Sequence, residues 1–409
     1  MSPVRTAPAG LTAGDSDRRA AYLEEVLGVL YPTARADRTG GDPAVADYAL
    51  VPDRRRPRLL VPLASQRVAV GAVRRYAEPR STLARLKRGA VVAALRTGAS
   101  RVLLPDRVRV SGDPADTIDG YLRAALDRDL HVSVHIGPAR ANRKPVLQLL
   151  TPGGETFAFA KLGTGPLTRA LVRHEAAALT ALRDARLTRV DAPQLLHTGQ
   201  WRGHDIVVQS ALPVWQPRAP LNDDRLHKAM REVAVAGPSA MGAVGDSPYW
   251  RDLRGRLAGV TDQPDGATLA AAVDRLVARQ GDRILRYGAW HGDWAPWNMA
   301  PLSDTVLVWD WERYRAGVPL GYDALHHELQ RRIETTSDAG AAVTRTLRGA
   351  DRLLGAFDVP ADGRPITALL YLTHLATRYL ADRQAEAGAR LGVLGRWLLP
   401  VLIEHMEER

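Results

Sequence analysis

Apolar and polar positions alternate along His131–Ile136, and two further apolar-rich runs follow at Pro145–Leu150 and Thr156–Leu162. A period of two places successive side chains on opposite faces of a strand. The turn-forming stretches Gly137–Lys144 and Pro152–Glu155 join the runs, so the pattern predicts an antiparallel meander. The spacing then changes to that of a helix over Leu167–Leu182, with Leu171, Ala178, Leu179 and Leu182 on one side. Gln194–His197 and Ile206–Ser210 predict two further strands and complete a five-stranded lobe. Beyond Pro213 helical spacing dominates, over 224–235, 267–280, 324–333, 341–353, 365–383 and 391–406. Gly237–Ser247 predicts a loop, and the β-branched run Val306–Trp309 a short buried strand.

Upstream the pattern is more mixed. Tyr48–Val51 and Leu59–Leu63 predict strands around a charged turn, and Arg101–Leu104 another strand. Ala21–Leu30, Arg67–Tyr76, Ser81–Leu95 and Ile118–Leu126 predict helices, and the one from Ser81 is basic. Residues 1–20, rich in Ala, Pro, Gly, Ser and Thr, predict no fixed structure. The expected division is an N-terminal extension of unknown role over 21–128, a sheet lobe over 129–212 and a helical lobe over 213–409.

Composition adds exclusions. No apolar run is long enough to span a bilayer, and the N-terminus lacks the apolar core of a secretory signal. Cysteine is absent, which removes disulfides and thiolate metal sites and fits a reducing, cytoplasmic setting. The net charge of +11 rests on arginine, since lysine stands only at 87, 144, 161 and 228. A basic balance favours anionic partners, although solvated basic faces account for it equally well. Nucleic acid ranks last as a partner, because charge alone points to it and no reading motif accompanies it.

The chemistry concentrates in Trp290-His291-Gly292-Asp293-Trp294-Ala295-Pro296-Trp297-Asn298 and in Val306-Leu307-Val308-Trp309-Asp310-Trp311-Glu312. Gly292 and Pro296 argue for a shaped loop, which offers a carboxylate (Asp293) and, five residues later, an amide (Asn298). A strand that ends on Asp310 can bring a second carboxylate to the same point. Phosphoryl transfer needs such a set: one carboxylate to orient the attacking hydroxyl, an amide and a carboxylate to hold Mg²⁺ on the nucleotide. Five of the nine tryptophans surround the segment; packing beneath the loop is their commoner role, and an apolar pocket wall the other.

His-Gly-Asp-x-x-x-x-Asn, the hydrophobic strand, Asp-Trp-Glu and the continuation Ala316-Gly317-Val318-Pro319-Leu320-Gly321-Tyr322-Asp323 resemble the aminoglycoside phosphotransferase and choline kinase superfamily. The resemblance covers about residues 130–400 and is strongest over 288–325. It implies a bilobal, protein-kinase-like α+β fold, with a small antiparallel-sheet lobe and a larger helical lobe, to which the N-terminal α/β region is extra. It further implies ATP and Mg²⁺ as cofactors and a small-molecule hydroxyl, on an antibiotic or metabolite, as acceptor. Asp293 becomes the catalytic residue, with Asn298 and Asp310 the metal ligands. Lys161 in the third strand would hold the α- and β-phosphates, steadied by Glu175 in the next helix, and Ser210 to Leu212 would be the hinge that meets adenine. His291 supports the loop, and Glu312 either reaches metal-bound water or substrate or anchors the loop.

The turn after the first strand departs from the kinase pattern, with Gly137 but no further glycine before Arg140, Asn142, Arg143 and Lys144. Arg140, Arg143 and Lys144 are therefore candidates to hold phosphate by side-chain charge, with an exposed hairpin tip as the equal alternative. Adjacent His326 and His327 are expected on a helix surface rather than at a metal. A second function of another class is a kinase-like module that binds a peptide or partner in a peptide-modifying, lanthipeptide-type assembly, with or without phosphoryl transfer. The retained catalytic residue types favour activity, and the charge of +11 sits uneasily with a cationic antibiotic.

Overall fold

The computed structural model describes residues 13–32, 35–36, 44–76, 82–98, 104–138, 140–389 and 391–408. The described chain falls into two compact units, one comprising Met1–Ala139, Arg143–Arg169 and Leu196–Ala211, the other Arg140–Asn142, Ala170–Leu195 and Leu212–Arg409. The first is built on an antiparallel sheet and the second is mainly helical, the α+β division that was expected.

In the first unit, helix α1 (Ala13–Leu30) precedes strands β1 (Arg35–Ala36), β2 (Ala44–Val51) and β3 (Leu59–Pro62). Helices α2 (Gln66–Tyr76) and α3 (Thr82–Thr97) follow, then β4 (Arg107–Ser111) and α4 (Ile118–Leu126). The meander is β5 (His131–His135), β6 (Val146–Leu150) and β7 (Thr156–Gly163), after which α5 (Pro166–Ala185) begins. Thr117 caps α4 by accepting from the Gly120 amide, and Asp127 ends it in a left-handed conformation, φ 46°.

Nine strands make one sheet in the order β1-β4-β2-β3-β5-β6-β7-β10-β9, where β9 is Leu195–Trp201 and β10 is His204–Ser210. The strands on either side of residue 128 are thus neighbours in that sheet, with β3 pairing β5 at Leu59↔His135. Five strands were expected in the lobe and the sheet has nine. Of the strand expected at Arg101–Leu104, residues 101–103 lie outside the described residues, and the strand of that region is β4. Of the stretch expected to lack structure, residues 13–20 belong to α1 and 1–12 lie outside the described residues.

The sheet buries one face against α1 and α4, with Leu23, Tyr48, Leu60, Ile118, Val132, Leu147 and Ala160 in a shared core. On its other side α2 and α3 cover Ala49, Val61 and Leu150. Lys161 lies between Val146 of β6 and Val207 of β10 and is buried, on the opposite face of β7 from Ala160 and Leu162.

In the second unit α5 continues to Ala185 and β8 (Val190–Asp191) follows. Then come α6 (Asp223–Val235), β11 (Ala240–Ala243), α7 (Pro248–Ala258) and α8 (Pro264–Gln280). Strands β12 (Ile284–Trp290), β13 (Met299–Pro301), β14 (Val306–Val308) and β15 (Arg315–Pro319) precede helices α9 (Tyr322–Thr335), α10 (Ala339–Gly355), α11 (Arg364–Ala381) and α12 (Leu399–Glu407). Two small sheets, β11-β12-β15 and β13-β14-β8, emerge from the helices and carry the loop that follows Trp290. Gly237–Ser247 holds a strand where a loop was expected, because β11 pairs with β12 at Gly242↔Leu285. Helix α7 and strand β12 went unpredicted, although Ser247 accepting from the Trp250 amide, with Pro248 behind it, is a recognisable helix start.

Candidate active site

The segment after β12 is held by its own backbone. Gly292 takes φ 85°, and a Cβ there would sit 2.1 Å from the Arg313 carbonyl oxygen, so only glycine allows this passage. The buried Asp323 carboxylate accepts the amides of His291 (2.8 Å) and Gly292 (3.2 Å), and Arg378 Nη1 donates to the Gly292 carbonyl at 2.6 Å. Asp293 then donates its amide to His291 Nδ1 at 3.1 Å. An Nδ1 that accepts leaves the ring proton on Nε2, which donates to the Trp309 carbonyl at 3.1 Å. His291 is therefore a neutral brace between the Asp293 and Asp310 segments, as the sequence suggested. Burial pushes its pKa down to about 4. Trp290, Trp294 and Trp311 are fully buried beneath the loop, whereas Trp297 and Trp309 are half-buried.

Asn298 is tied to Asp293 twice, its Nδ2 donating to the carbonyl (2.9 Å) and to Oδ2 (3.0 Å). Both donors of the amide are thus spent, which leaves its oxygen as the ligand atom. The Trp309 amide donates to the Asn298 carbonyl (3.1 Å), and β13–β14 pairing at Met299↔Val308 brings Asp310 next to this loop. Asp310 has φ 71° and ψ 52°, a left-handed conformation that costs a side-chain-bearing residue about 1–2 kcal/mol. One carboxylate oxygen each from Glu175, Asp310 and Glu312 lie within 4.8 Å of one another. Oxygen donors of this kind suit a hard divalent cation such as Mg²⁺. Glu312 accepts from Asn142 Nδ2 (3.0 Å) through Oε1 and from His174 Nδ1 (2.8 Å) through its carbonyl.

The Asp293 carboxylate has partners that the sequence did not disclose. His326 Nε2 donates to Oδ1 at 3.1 Å, and Arg378 Nη2 stands 3.9 Å from the same oxygen. Burial opposes ionisation, yet the His326 hydrogen bond and the Arg378 cation outweigh it and hold the carboxyl well below the usual range. His326 was expected on a helix surface and is instead fully buried, since α9 turns that face toward Asp293 and Trp290. Its neighbour His327 is half-buried, with burial pushing its pKa down to about 4.

The candidate nucleotide residues are placed as follows. Lys161 is buried in the sheet of the first unit. Ser210 ends β10 opposite Ala158, and the following Ala211 amide donates to Phe157 at 2.9 Å. Leu212 is buried with Ala300, Leu302 and Leu307. Arg140 is exposed and Lys144 half-buried. The Arg143 guanidinium lies 3.6 Å from the centre of the Tyr22 ring, a cation–π contact that uses its face and not its N–H edge.

These titrations set a pH dependence of stability. His135, His291 and His327 have folded-state pKa values of about 4 against an ordinary 6.5. A depressed histidine contributes stability that is complete above 6.5 and lost as pH falls toward 4. Asp323 acts oppositely: burial raises its carboxyl from 3.8 to about 7, so its contribution is present below 3.8 and lost as pH rises through 7. Three histidines outweigh one carboxyl, and the melting temperature is expected to fall from pH 7 to pH 5 with net proton uptake on unfolding. Melts at constant ionic strength check this, and a curve that is flat or rises toward pH 5 contradicts it.

Solved structures similar to this chain include aminoglycoside phosphotransferases. A thermostable mutant of aminoglycoside phosphotransferase APH(4)-Ia, in ternary complex with ADP and hygromycin B, is 14% identical with a TM-score of 0.46, over 70% of this chain and 98% of that one. Spectinomycin phosphotransferase APH(9)-Ia with ADP and spectinomycin is 12% identical at a TM-score of 0.40, covering 71% and 93%. APH(3'')-Id from Streptomyces rimosus with ADP and streptomycin is 14% identical at 0.39, covering 58% and 90%. No family model and no curated protein matches the chain.

Proposed function

We propose that the protein is an ATP- and Mg²⁺-dependent phosphotransferase acting on a hydroxyl of a small molecule. The observation that carries the proposal is the double tie of Asn298 to Asp293. It fixes the Asp293 carboxylate and leaves the Asn298 amide oxygen as the atom available to a cation. Asp293 would orient the acceptor hydroxyl and take its proton. Its low pKa keeps the carboxylate ionised to accept a hydrogen bond from the alcohol, which suits orienting the hydroxyl more than taking its proton early. Asn298 and Asp310 would hold Mg²⁺, which neutralises charge that builds on the transferred phosphoryl. Glu312 and Glu175 add negative charge beside Asp310.

Lys161, steadied by Glu175, would hold the α- and β-phosphates, and Ser210 to Leu212 would be the adenine hinge. Arg140, Arg143 and Lys144 remain candidates for the phosphates, with the Arg143 guanidinium over the Tyr22 ring. No helix among the described residues is long and apolar enough to cross a membrane. No observation favours a partner-binding module over the enzyme.

ATP with Mg²⁺ is expected to raise the melting temperature, because a ligand held only by the folded state stabilises it by about 2.7 kcal/mol at a hundred times its Kd. Lys161→Ala should shrink that shift. ADP release in the presence of hygromycin B, spectinomycin, streptomycin and uncharged polyols then surveys the acceptor. Melting curves indifferent to millimolar MgATP would sink the proposal.

A further inference from the structure

We propose that His326, its ring anchored by the Tyr371 hydroxyl, is a positioning residue for the Asp293 carboxylate, an inference that rests on the phosphotransferase reading above. Asp293 can only accept hydrogen bonds when ionised, so His326 Nε2, 3.1 Å from Oδ1, carries the ring proton. His326 Nδ1 is then a lone pair, and it lies 3.0 Å from the Tyr371 hydroxyl, which donates to it. The other tautomer would turn a lone pair toward a carboxylate and lose the bond to Oδ1, while its Nδ1–H could still donate to the Tyr371 hydroxyl, so it is the carboxylate that sets the tautomer. Tyr371 and His326 are fully buried, so no water substitutes for either partner, whereas the Asp293 side chain is 30% exposed.

The chain Tyr371–His326–Asp293 fixes the carboxylate from below, as Asn298 fixes it from the side. His326 fills one lone-pair direction on Oδ1 and Asn298 one on Oδ2. A carboxylate has about four such directions, so the exposed edge keeps the acceptors that an incoming hydroxyl needs. Arg378 and Asp323 anchor the backbone at Gly292, one residue before, so the side chain has no hinge left but its own torsions. Trp290 meets the His326 ring edge-on at 6.4 Å and Tyr371 at 6.5 Å, which keeps both rings from swinging away.

If His326 only filled space, leucine would replace it without kinetic effect. If it positions Asp293, H326L should lower kcat for ADP release from MgATP by about a hundredfold, the usual consequence of a misplaced catalytic group. The KM for ATP and the MgATP thermal shift should not change. H326Q places an amide N–H where Nε2–H stands and should recover kcat to within about tenfold of wild type. Y371F should cost roughly two- to tenfold, the worth of one neutral hydrogen bond. Wild-type kcat in H326L overturns the proposal, as do equal losses in H326L and H326Q or a loss that appears in KM for ATP. Should H326L fail to fold, H326Q and Y371F decide, and H326Q an order of magnitude slower than Y371F overturns it. A wild-type protein that binds MgATP yet releases no ADP overturns the phosphotransferase reading and this inference with it.

Discussion

Asp293→Asn is expected to abolish measurable phosphoryl transfer while leaving most of the MgATP-dependent thermal shift in place. The carboxylate touches Asn298, His326 and Arg378, and in the proposed chemistry it meets the acceptor rather than the nucleotide. General-base assistance is worth roughly 10²–10⁴-fold, and lost orientation of the hydroxyl adds to that. A neutral amide cannot take the proton. It also cannot accept from both His326 and Asn298, because one of its two terminal atoms is now a donor. Single-turnover ADP formation and melting curves on one preparation give both numbers. Turnover within tenfold of wild type would remove Asp293 from the chemistry, and a vanished MgATP shift would move it to the nucleotide.

The part of this site that one loop and one hairpin carry was legible in the chain. Asp293, Asn298 and Asp310 are brought together by a turn and by the pairing of two adjacent strands, so their spacing encodes their geometry. His291 was legible for the same reason. His326, Tyr371 and Arg378 were not, because they arrive from α9 and α11, and helix-to-loop packing has no local signature. The adjacency of His326 and His327 was misleading: the rule that neighbours on a helix point apart is right, but here both directions lead inward. Along the chain, the helix over Ile118–Leu126 and the meander of β5 to β7 matched their periodicity closely. What periodicity does not encode is which strands pair. The N-terminal strands extend the same sheet because β3 offers its edge to β5, and that is a tertiary choice. The loop cations show the same limit, since Arg143 found Tyr22, which lies on α1 far earlier in the chain.

Asp310→Asn is expected to melt above wild type without ligand and to lose the Mg²⁺-dependent increment that wild type gains with MgATP. Asp310, Glu175 and Glu312 place carboxylate oxygens within 4.8 Å of one another, and like charges at that range repel, to an extent their other partners reduce. Asparagine removes one of the three charges and tolerates the left-handed conformation at φ 71°. Without a cation the variant should therefore melt a degree or more above wild type, as expected for about 1 kcal/mol of relief in a chain of this size. With MgATP the same charge is what holds the metal, so wild type should gain a Mg²⁺-dependent increment that the variant lacks, and turnover should be lost. Asp310→Ala separates charge from backbone: it gains the same relief but pays about 1 kcal/mol for a Cβ in the left-handed region without a short polar side chain to support it. Its melting temperature without ligand should fall below that of Asp310→Asn. Melts of the three proteins with and without MgATP, and with ATP plus chelator, decide the case. An Asp310→Asn protein that keeps the Mg²⁺-dependent increment takes the metal away from Asp310, and one that melts below wild type without ligand shows that the three carboxylates do not repel.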